Sequence, residues 1–349
     1  MVFYLALVLT DHAVSHITDL GSHPHIQMVV QALPSQCRSA SEKLVFEEVV
    51  ETIQTRFSLA PYITITHAVS QVISMDEVPA SPPATPNPTH PSDDYFQDQT
   101  IFTHAALVPS YHRPPPPGPV LSPRPTHIIA APSSIHITTL ERYIPPTSVQ
   151  ESTDFFTLSR RSYLVDRLLE LSVNHGSMLL IYPTRAGAAT FATKYLGPVM
   201  EPFLRRFVLL NDLSMDLASS MGKMAALPAM KTFDEMEMLV RAICQALGER
   251  APVRGLLSKY DIVHAEAAEV VLERSMWMEW FLEQESPRLR QSLVDYHKAG
   301  GRMPSRRGQV EVTTGMLARE AVDGIRRSRQ EAGNVGMEVA VFVIRRSVL

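Results

Sequence analysis

The sequence predicts an α/β protein with a layered sheet flanked by helices, on three observations. Short apolar runs alternate with helical patterns along most of the 349 residues. The runs at residues 2–9 and 337–344 are strongly apolar, as expected for strands that are covered on both faces. One stretch, residues 79–125, holds 14 of the 27 prolines and interrupts the alternation. We therefore predict a Rossmann-like sheet with a proline-rich disordered insertion.

Composition places the chain among ordinary globular proteins, since 45% of its residues are hydrophobic and 19% are charged. A net charge of -4 favours neither nucleic acid nor a membrane as a partner. Cys37 and Cys244 are too few and too far apart for a disulfide scaffold, which indicates a reducing compartment. The run at residues 2–9 is shorter than the roughly 20 residues of a membrane helix. We expect a soluble, intracellular protein, cytoplasmic or nuclear.

Three segments are predicted. Residues 1–75 form an N-terminal strand–helix unit, with strands at 2–9 and 62–66 and a helix from about Ser41. Residues 76–126 form the proline-rich disordered linker or insertion. Its four successive prolines, at 114–117, fit the groove of an SH3 or WW domain in a partner protein, or serve only as a spacer. Residues 127–349 form the main α/β portion, in the same sheet as residues 1–75.

The main portion is predicted to alternate strands and helices. Strands are expected at residues 127–131, 135–140, 177–182, 207–210 and 337–344. Helices are expected around residues 164–172, 188–196, 232–247, 264–284 and 317–325. The helix that starts near residue 232 has a capping box, Thr232 followed by Glu235.

The most ligand-like feature is the segment Tyr182-Pro-Thr-Arg-Ala-Gly187, between a predicted strand and a predicted helix. Ligands of open α/β sheets collect beyond the carboxyl ends of strands. Thr184 can cap the helix, Arg185 adds positive charge, and free N–H groups of the helix could hold an anion. Tyr182, Thr184, Arg185 and Gly187 are therefore the candidate ligand-binding residues. The same residue types suit any strand-to-helix turn, so a purely structural role stays open.

Three other groups have competing interpretations. Trp277 and Trp280 lie three residues apart on one helical face, and they are either core anchors or a partner-binding pair. His12 and His16 have a spacing that can chelate zinc, but no third ligand follows, so no metal site is predicted. The arginines between residues 302 and 329 alternate with acidic residues and lack interleaved aromatic residues, which indicates a solvated face rather than a nucleic-acid surface.

Common catalytic and nucleotide-binding motifs are absent from the sequence. It contains no phosphate-binding G-x-x-x-x-G-K-[ST] loop and no G-x-G-x-x-G after a strand. It also contains no G-x-S-x-G elbow and no H-E-x-x-H pair. No catalytic residue is therefore named.

The segment LLELSVNHGSMLLIYPT resembles the late part of class I methyltransferases that use S-adenosylmethionine, in which a helix, a glycine-containing turn, a buried strand and a proline-bounded loop follow one another. The next helix and the final strand, GMEVAVFVIRR, fit the end of such a sheet. This resemblance covers residues 135–210 and 337–346. It implies a Rossmann-like core and S-adenosylmethionine as the cofactor, although the glycine-rich cofactor loop and an acidic ribose ligand are not found.

A second resemblance concerns the phrases IHITTLERYIPPTS, LVDRLLELS, IYPTRAGAATFATKYLGP and EVAVFVIRRS. They look like a family of filamentous-fungal proteins that has no assigned activity. This resemblance supports the domain organisation and implies no catalytic residue.

Two functions from different classes follow from these observations. One is a degenerate or divergent S-adenosylmethionine-dependent methyltransferase-like domain. The other is a non-enzymatic interaction or scaffold protein that uses the proline-rich segment and the Trp-bearing helix. The absence of a catalytic motif favours a protein without enzymatic activity, and methyl transfer is the reaction expected if the chain is an enzyme.

Overall fold

The structure of the protein is a computed structural model that describes most of the chain. The described residues are 25–33, 45–56, 61–69, 100–108, 128–158, 162–174, 176–250, 258–304, 312–328 and 335–348. The strand predicted at residues 2–9, the histidines at 12 and 16, and the prolines at 114–117 lie outside them.

Seven strands form one mixed sheet with the order β3-β2-β1-β4-β5-β7-β6. The strands are β1 (His25–Ala32), β2 (Tyr62–Val69), β3 (Ile101–Leu107), β4 (Ile137–Glu141), β5 (Ser177–Pro183), β6 (Ser258–Val270) and β7 (Met337–Val348). The pairs among β1 to β5 are parallel, whereas β7 lies antiparallel between β5 and β6. β1 and β2 come from residues 1–75 and β4 to β7 from residues 127–349, so both parts contribute to one sheet.

Helices cover both faces of this sheet. They are α1 (Val45–Arg56), α2 (Val149–Phe155), α3 (Tyr163–Glu170), α4 (Arg185–Thr190), α5 (Gly197–Leu210), α6 (Met215–Gly222), α7 (Phe233–Arg250), α8 (Arg274–Lys298) and α9 (Thr314–Arg327). Buried residues of α1, α5, α6, α8 and α9 join one apolar cluster with alternate strand residues such as Leu179 and Ile181. Those of α2, α3 and α7 join a second cluster with Met178 and Leu180. The predicted α/β sheet with flanking helices is therefore confirmed.

A single helical run extends from α4 through a π-helical turn, Phe191–Leu196, into α5. Pro198 follows the π turn, and its nitrogen has no proton to donate to the preceding turn. The wider turn accommodates this loss without breaking the helix. It also orients Tyr195, whose hydroxyl donates to the carbonyl of Val335 and accepts from the N–H of Leu272. The turn thereby ties together the segments that precede β7 and α8.

Arg346 in β7 is a buried cation whose hydrogen-bond partners among the described residues are all neutral. Its guanidinium donates to the carbonyls of Leu169 and Leu171 at the end of α3, at 3.0 and 2.7 Å. It also donates to the hydroxyls of Ser133 and Ser258. A positive charge is favourable at these positions because the carboxyl end of a helix carries partial negative charge.

Several predicted elements are confirmed. The helix predicted from about Ser41 is α1, and its residues Val45, Val49 and Ile53 are buried. The predicted strands at 62–66, 135–140, 177–182 and 337–344 correspond to β2, β4, β5 and β7. The capping box of α7 forms, since the Thr232 N–H donates to Glu235 and the Glu235 N–H donates to Thr232.

Other predictions were wrong. Residues 207–210 are not a strand but the last turn of α5, with Leu209 and Leu210 about three-quarters exposed. Residues 128–130 have no strand partner. The first third of the helix predicted at 264–284 belongs to strand β6, because this Ala- and Glu-containing segment pairs along its length with β7. Pairing with a buried strand thus overrides its local helix preference.

The sequence-based prediction also missed two strands. β3 lies inside the segment predicted as disordered, in a stretch between Pro91 and Pro109 that contains no proline. Averaging composition over the whole segment concealed it. β1, HIQMVVQA, was not predicted, because its histidine, glutamine and methionine residues weaken the strand pattern.

Candidate functional site

The carboxyl ends of β1 and β4 lie at the switch point of the sheet. The strand order reverses between them, since β2 and β3 lie on one side of β1 whereas β4 and β5 lie on the other. Ligands of open α/β sheets bind in the crevice at such a switch point. Ala32 pairs with Glu141, and the Leu33 N–H donates to the Glu141 carbonyl at 2.8 Å. Both strands therefore end at the same level, and the crevice begins there.

Glu141 is a buried carboxyl at this switch point, with 3% of its surface exposed. The hydroxyl of Tyr143 donates to its Oε2 at 2.9 Å. Burial raises the pKa of Glu141 to about 7, although the hydrogen bond from Tyr143 partly opposes the shift. The carboxyl therefore changes its protonation state near neutral pH, which is a common property of functional carboxyls.

Gln31 and His67 place two more buried polar groups beside the crevice. Neither the amide nitrogen nor the amide oxygen of Gln31 has a hydrogen-bond partner among the described residues. The Nε2 of His67 likewise lacks one there, and burial, with a smaller effect of His104, lowers the pKa of His67 to about 4. An unpaired buried polar group costs about 1–3 kcal/mol. Such groups call for a functional or structural reason.

These side chains approach the crevice from both faces of the sheet. Glu141 pairs with Ala32, whereas Gln31 pairs with Leu140, the residue before Glu141. Successive residues of a strand point to opposite faces. His67 pairs with Val30 and so shares the face of Glu141. A ligand that enters between β1 and β4 would find polar groups on both sides.

Helix α8 is held over the carboxyl end of β4. Arg142 donates to Glu151 Oε1 at 2.6 Å and to Gln284 Oε1 at 2.9 Å. All three side chains are buried, and Gln284 in turn donates to a backbone carbonyl that follows β4. The Trp280 ring stacks on Tyr143, with 5.7 Å between their centroids. Because Tyr143 binds Glu141, α8 contributes to the environment of that carboxyl.

The predicted ligand-binding corner follows the neighbouring strand, β5. Tyr182 is fully buried, and its ring contacts those of Phe155 and Phe156. Burial raises the pKa of the Tyr182 phenol. The Arg142 N–H donates to the carbonyl of Ile181 at 2.9 Å, so this corner and Glu141 lie at the same edge of the sheet.

The other three predicted residues join elements to one another. The Thr184 hydroxyl accepts from the Gly187 N–H at 3.1 Å and donates to Glu338. Arg185 donates to the carbonyl of Met230 at 2.8 Å and pairs with Glu235 at 3.1 Å. Gly187 lies against β7, where a Cβ atom would stand 1.9 Å from the Glu338 carbonyl oxygen. Each residue thus has a structural role, and ligand binding by this corner stays a prediction.

Trp277 and Trp280 lie in the core, with 0% and 4% of their surfaces exposed. Trp277 packs edge-on against Phe191 and Tyr195, at 5.5 and 6.0 Å between centroids. The burial of both indoles agrees with the core-anchor interpretation. A partner-binding role stays a prediction that no exposed indole surface supports.

Sequence reasoning missed the three polar residues of the switch point. Glu141 directly follows the predicted strand at 135–140, and a carboxylate at the carboxyl end of a buried strand was a usable signal. His67 similarly follows the predicted strand at 62–66. Gln31 had no such signal, because β1 itself was not predicted.

Two features are absent from the part of the chain that the structure describes. No group of three or more His, Cys, Asp or Glu residues in that part of the chain is arranged to share a metal ion. None of its helices combines the length and the hydropathy that crossing a bilayer requires.

Comparisons with known proteins give distant structural matches. No family model matches the chain, and no curated protein matches it in sequence. Loganic acid methyltransferase with SAH is 10% identical, with a TM-score of 0.44 over 99% of this chain and 93% of that one. The YcgJ protein from Bacillus subtilis is 8% identical, with a TM-score of 0.30 over 97% and 98% of the two chains. A protein that converts a disulfide bond into a thioacetal group during echinomycin biosynthesis is 9% identical, with a TM-score of 0.31 over 98% and 81%. At these identities and TM-scores the matches carry no argument about this chain.

Proposed function

We propose that the chain is a divergent methyltransferase-like domain that binds a ligand of the S-adenosylmethionine class at the β1–β4 switch point. The observation that carries this proposal is the set of buried polar groups, Gln31, His67 and Glu141, at the reversal of strand order. The order of the seven strands, with the last strand antiparallel between the fifth and the sixth, is also typical of class I methyltransferases.

The residues present fit the cofactor in part. Glu141 offers a negative charge to a sulfonium or ammonium group once its carboxyl is ionised, and Gln31 offers both an amide donor and an amide acceptor. No glycine occurs between β1 and α1, so the close backbone approach of a glycine-rich loop is lost. Side chains would therefore have to provide most of the polar contacts.

When bound, S-adenosylmethionine supplies an electrophilic methyl group. The chain's own contribution would be binding and proton handling. Glu141 can hold or release a proton near neutral pH, and Tyr143 fixes the position of its Oε2. Helix α8, anchored through Gln284 and Trp280, would shield that carboxyl from water.

Isothermal titration with S-adenosylmethionine and S-adenosylhomocysteine tests binding, with a thermal-shift scan in parallel. Gln31→Leu removes an unpaired buried amide, so the free protein should be at least as stable as the wild type while its ligand-induced shift is lost. Gln291→Leu is the matched control, because Gln291 lies on the exposed face of α8 and its amide donates to Asp295. It should retain the full shift.

Two outcomes oppose the proposal. Folded wild-type protein that gives neither heat nor a thermal shift with both ligands contradicts binding. Equal shifts in wild type and Gln31→Leu contradict the assignment of the site. In that case Arg185→Gln distinguishes the neighbouring corner, because loss of the shift in that variant alone would move the ligand to residues 182–187.

A further inference from the structure

A groove of about 1000 Å³ lies among α5, α8 and α9, apart from the switch point. Its floor is apolar and includes Phe203, Phe207 and Val322. Helices α5 and α9 approach closely there, since a Cβ atom on Gly324 would stand 2.2 Å from the Phe203 ring. The rim exposes Leu210 by 74% and Met316 by 43%. The groove is therefore a preformed apolar surface that remains open to solvent.

Three arginines line this groove without a counter-charge. Arg206, Arg290 and Arg319 are exposed, and none of them has an ion pair or a side-chain hydrogen bond with any residue in the described ranges. Other exposed arginines of the helices do have carboxylate partners: Arg205 with Glu201, Arg241 with Glu237, and Arg326 with Glu279.

The lining of the groove has a net positive charge, because Glu320 and Asp323 stand against four arginines when Arg327 is included. Glu320 accepts a hydrogen bond from Asn211, and Asp323 pairs with Arg326 and Arg327. Uncompensated positive charge thus collects at one apolar groove, although the chain as a whole has a net charge of -4.

We propose that this groove binds a long-chain carboxylate, with its hydrocarbon chain on the apolar floor and its head group at the arginines. A guanidinium can donate two parallel hydrogen bonds to one carboxylate. The volume lies at the upper end of the range for small-molecule sites. Helix α9, which lines the groove, has 14 residues and is about 21 Å long.

A fluorescence titration of the full chain with 11-(dansylamino)undecanoic acid measures this binding, and the methyl ester of the same probe removes only its charge. We expect the acid to bind at least about tenfold more tightly than the ester, a difference of about 1.4 kcal/mol. The combined variant Arg206→Gln, Arg290→Gln and Arg319→Gln should weaken the acid about tenfold and leave the ester unchanged.

The matched control is Arg205→Gln, Arg241→Gln and Arg326→Gln, which removes the same charge from arginines that have partners. It should bind the acid as the wild type does. Met316→Glu, at an exposed position on the rim, adds a negative charge without disturbing the core and should also weaken the acid.

Three results would overturn the proposal. The first is equal affinity for the acid and its ester. The second is an equal loss in the control and the groove variant, which would reduce the effect to net charge. The third is displacement of the dansyl-labelled acid by an acidic helical peptide that binds more tightly than this acid does. That result would make the groove a peptide-binding surface.

Discussion

Replacement of Glu141 by Gln should stabilise the protein increasingly as the pH rises. The carboxyl has a pKa of about 7 in the folded chain against 4.5 for an ordinary Glu. The folded state therefore binds more protons than the unfolded state between these values, and wild-type stability falls as the pH rises through that window. With about 1.4 kcal/mol for each unit of pKa, the loss reaches about 3 kcal/mol above pH 7. Glutamine keeps the shape of the protonated carboxyl and does not ionise.

Urea unfolding of both proteins at pH 5 and pH 8.5 gives the free energies of unfolding. We expect the variant to gain less than about 1 kcal/mol over wild type at pH 5 and about 3 kcal/mol at pH 8.5. Glu201→Gln is the control, because it removes an exposed carboxyl on α5 that pairs with Arg205 at the surface, where an ion pair contributes little to stability. A difference for Glu141→Gln that is the same at both pH values would refute the shifted pKa.

Three further predictions concern stability. Gly187→Ala should prevent stable folding, because its Cβ would stand 1.9 Å from the backbone carbonyl oxygen of Glu338. The control Gly315→Ala, on the open side of α9, should be neutral or stabilising by up to about 1 kcal/mol. Soluble yield and thermal unfolding measure both effects. His67→Leu should make the protein more resistant to acid unfolding, because the pKa of the histidine is lowered from 6.5 to about 4 in the folded chain. Its contribution to wild-type stability is therefore complete above pH 6.5 and is lost as the pH falls toward 4. Unfolding curves that shift equally with pH in both proteins would contradict this. Arg346→Met should lower the free energy of unfolding in urea by at least about 3 kcal/mol, because it leaves the carbonyls at the end of α3 unpaired. Arg346→Lys should recover only part of that loss, because one ammonium group cannot reproduce the several directed hydrogen bonds of the guanidinium.

The sequence predicted the elements whose local pattern agrees with their packing. Helix α1 has its apolar residues on one face, and β5 and β7 are buried on both faces, so periodicity and burial lead to the same assignment. β6 could not be predicted in this way. Its residues from His264 to Glu269 favour a helix locally, and only β7, which lies far away in the chain, makes them a strand.

The candidate site residues likewise fall into those that a local sequence pattern indicates and those that only the fold brings to one part of the sheet. Tyr182, Thr184, Arg185 and Gly187 were recognisable because they occupy a single strand-to-helix turn. The switch point instead combines Gln31, His67 and Glu141 from three strands, and no spacing along the chain indicates that these strands are neighbours. The shifted pKa values of His67 and Glu141 also depend on burial, which arises only when the helices on their face of the sheet are in place.

The interior position of β7 has a consequence for biosynthesis. β6 is an outer strand of the described sheet and pairs only with β7 there, and both α8 and α9 separate the two strands in sequence. While the ribosome is still making those helices, β6 has no partner and its alanine-rich half is free to follow its helical preference. We therefore expect a transient helix at residues 264–270 that converts to a strand when β7 emerges. Such a late, long-range pairing slows folding. It also leaves β5 without its β7 neighbour until synthesis of β7 is complete. This protein should therefore depend more on chaperones than a protein whose strands join the sheet in chain order.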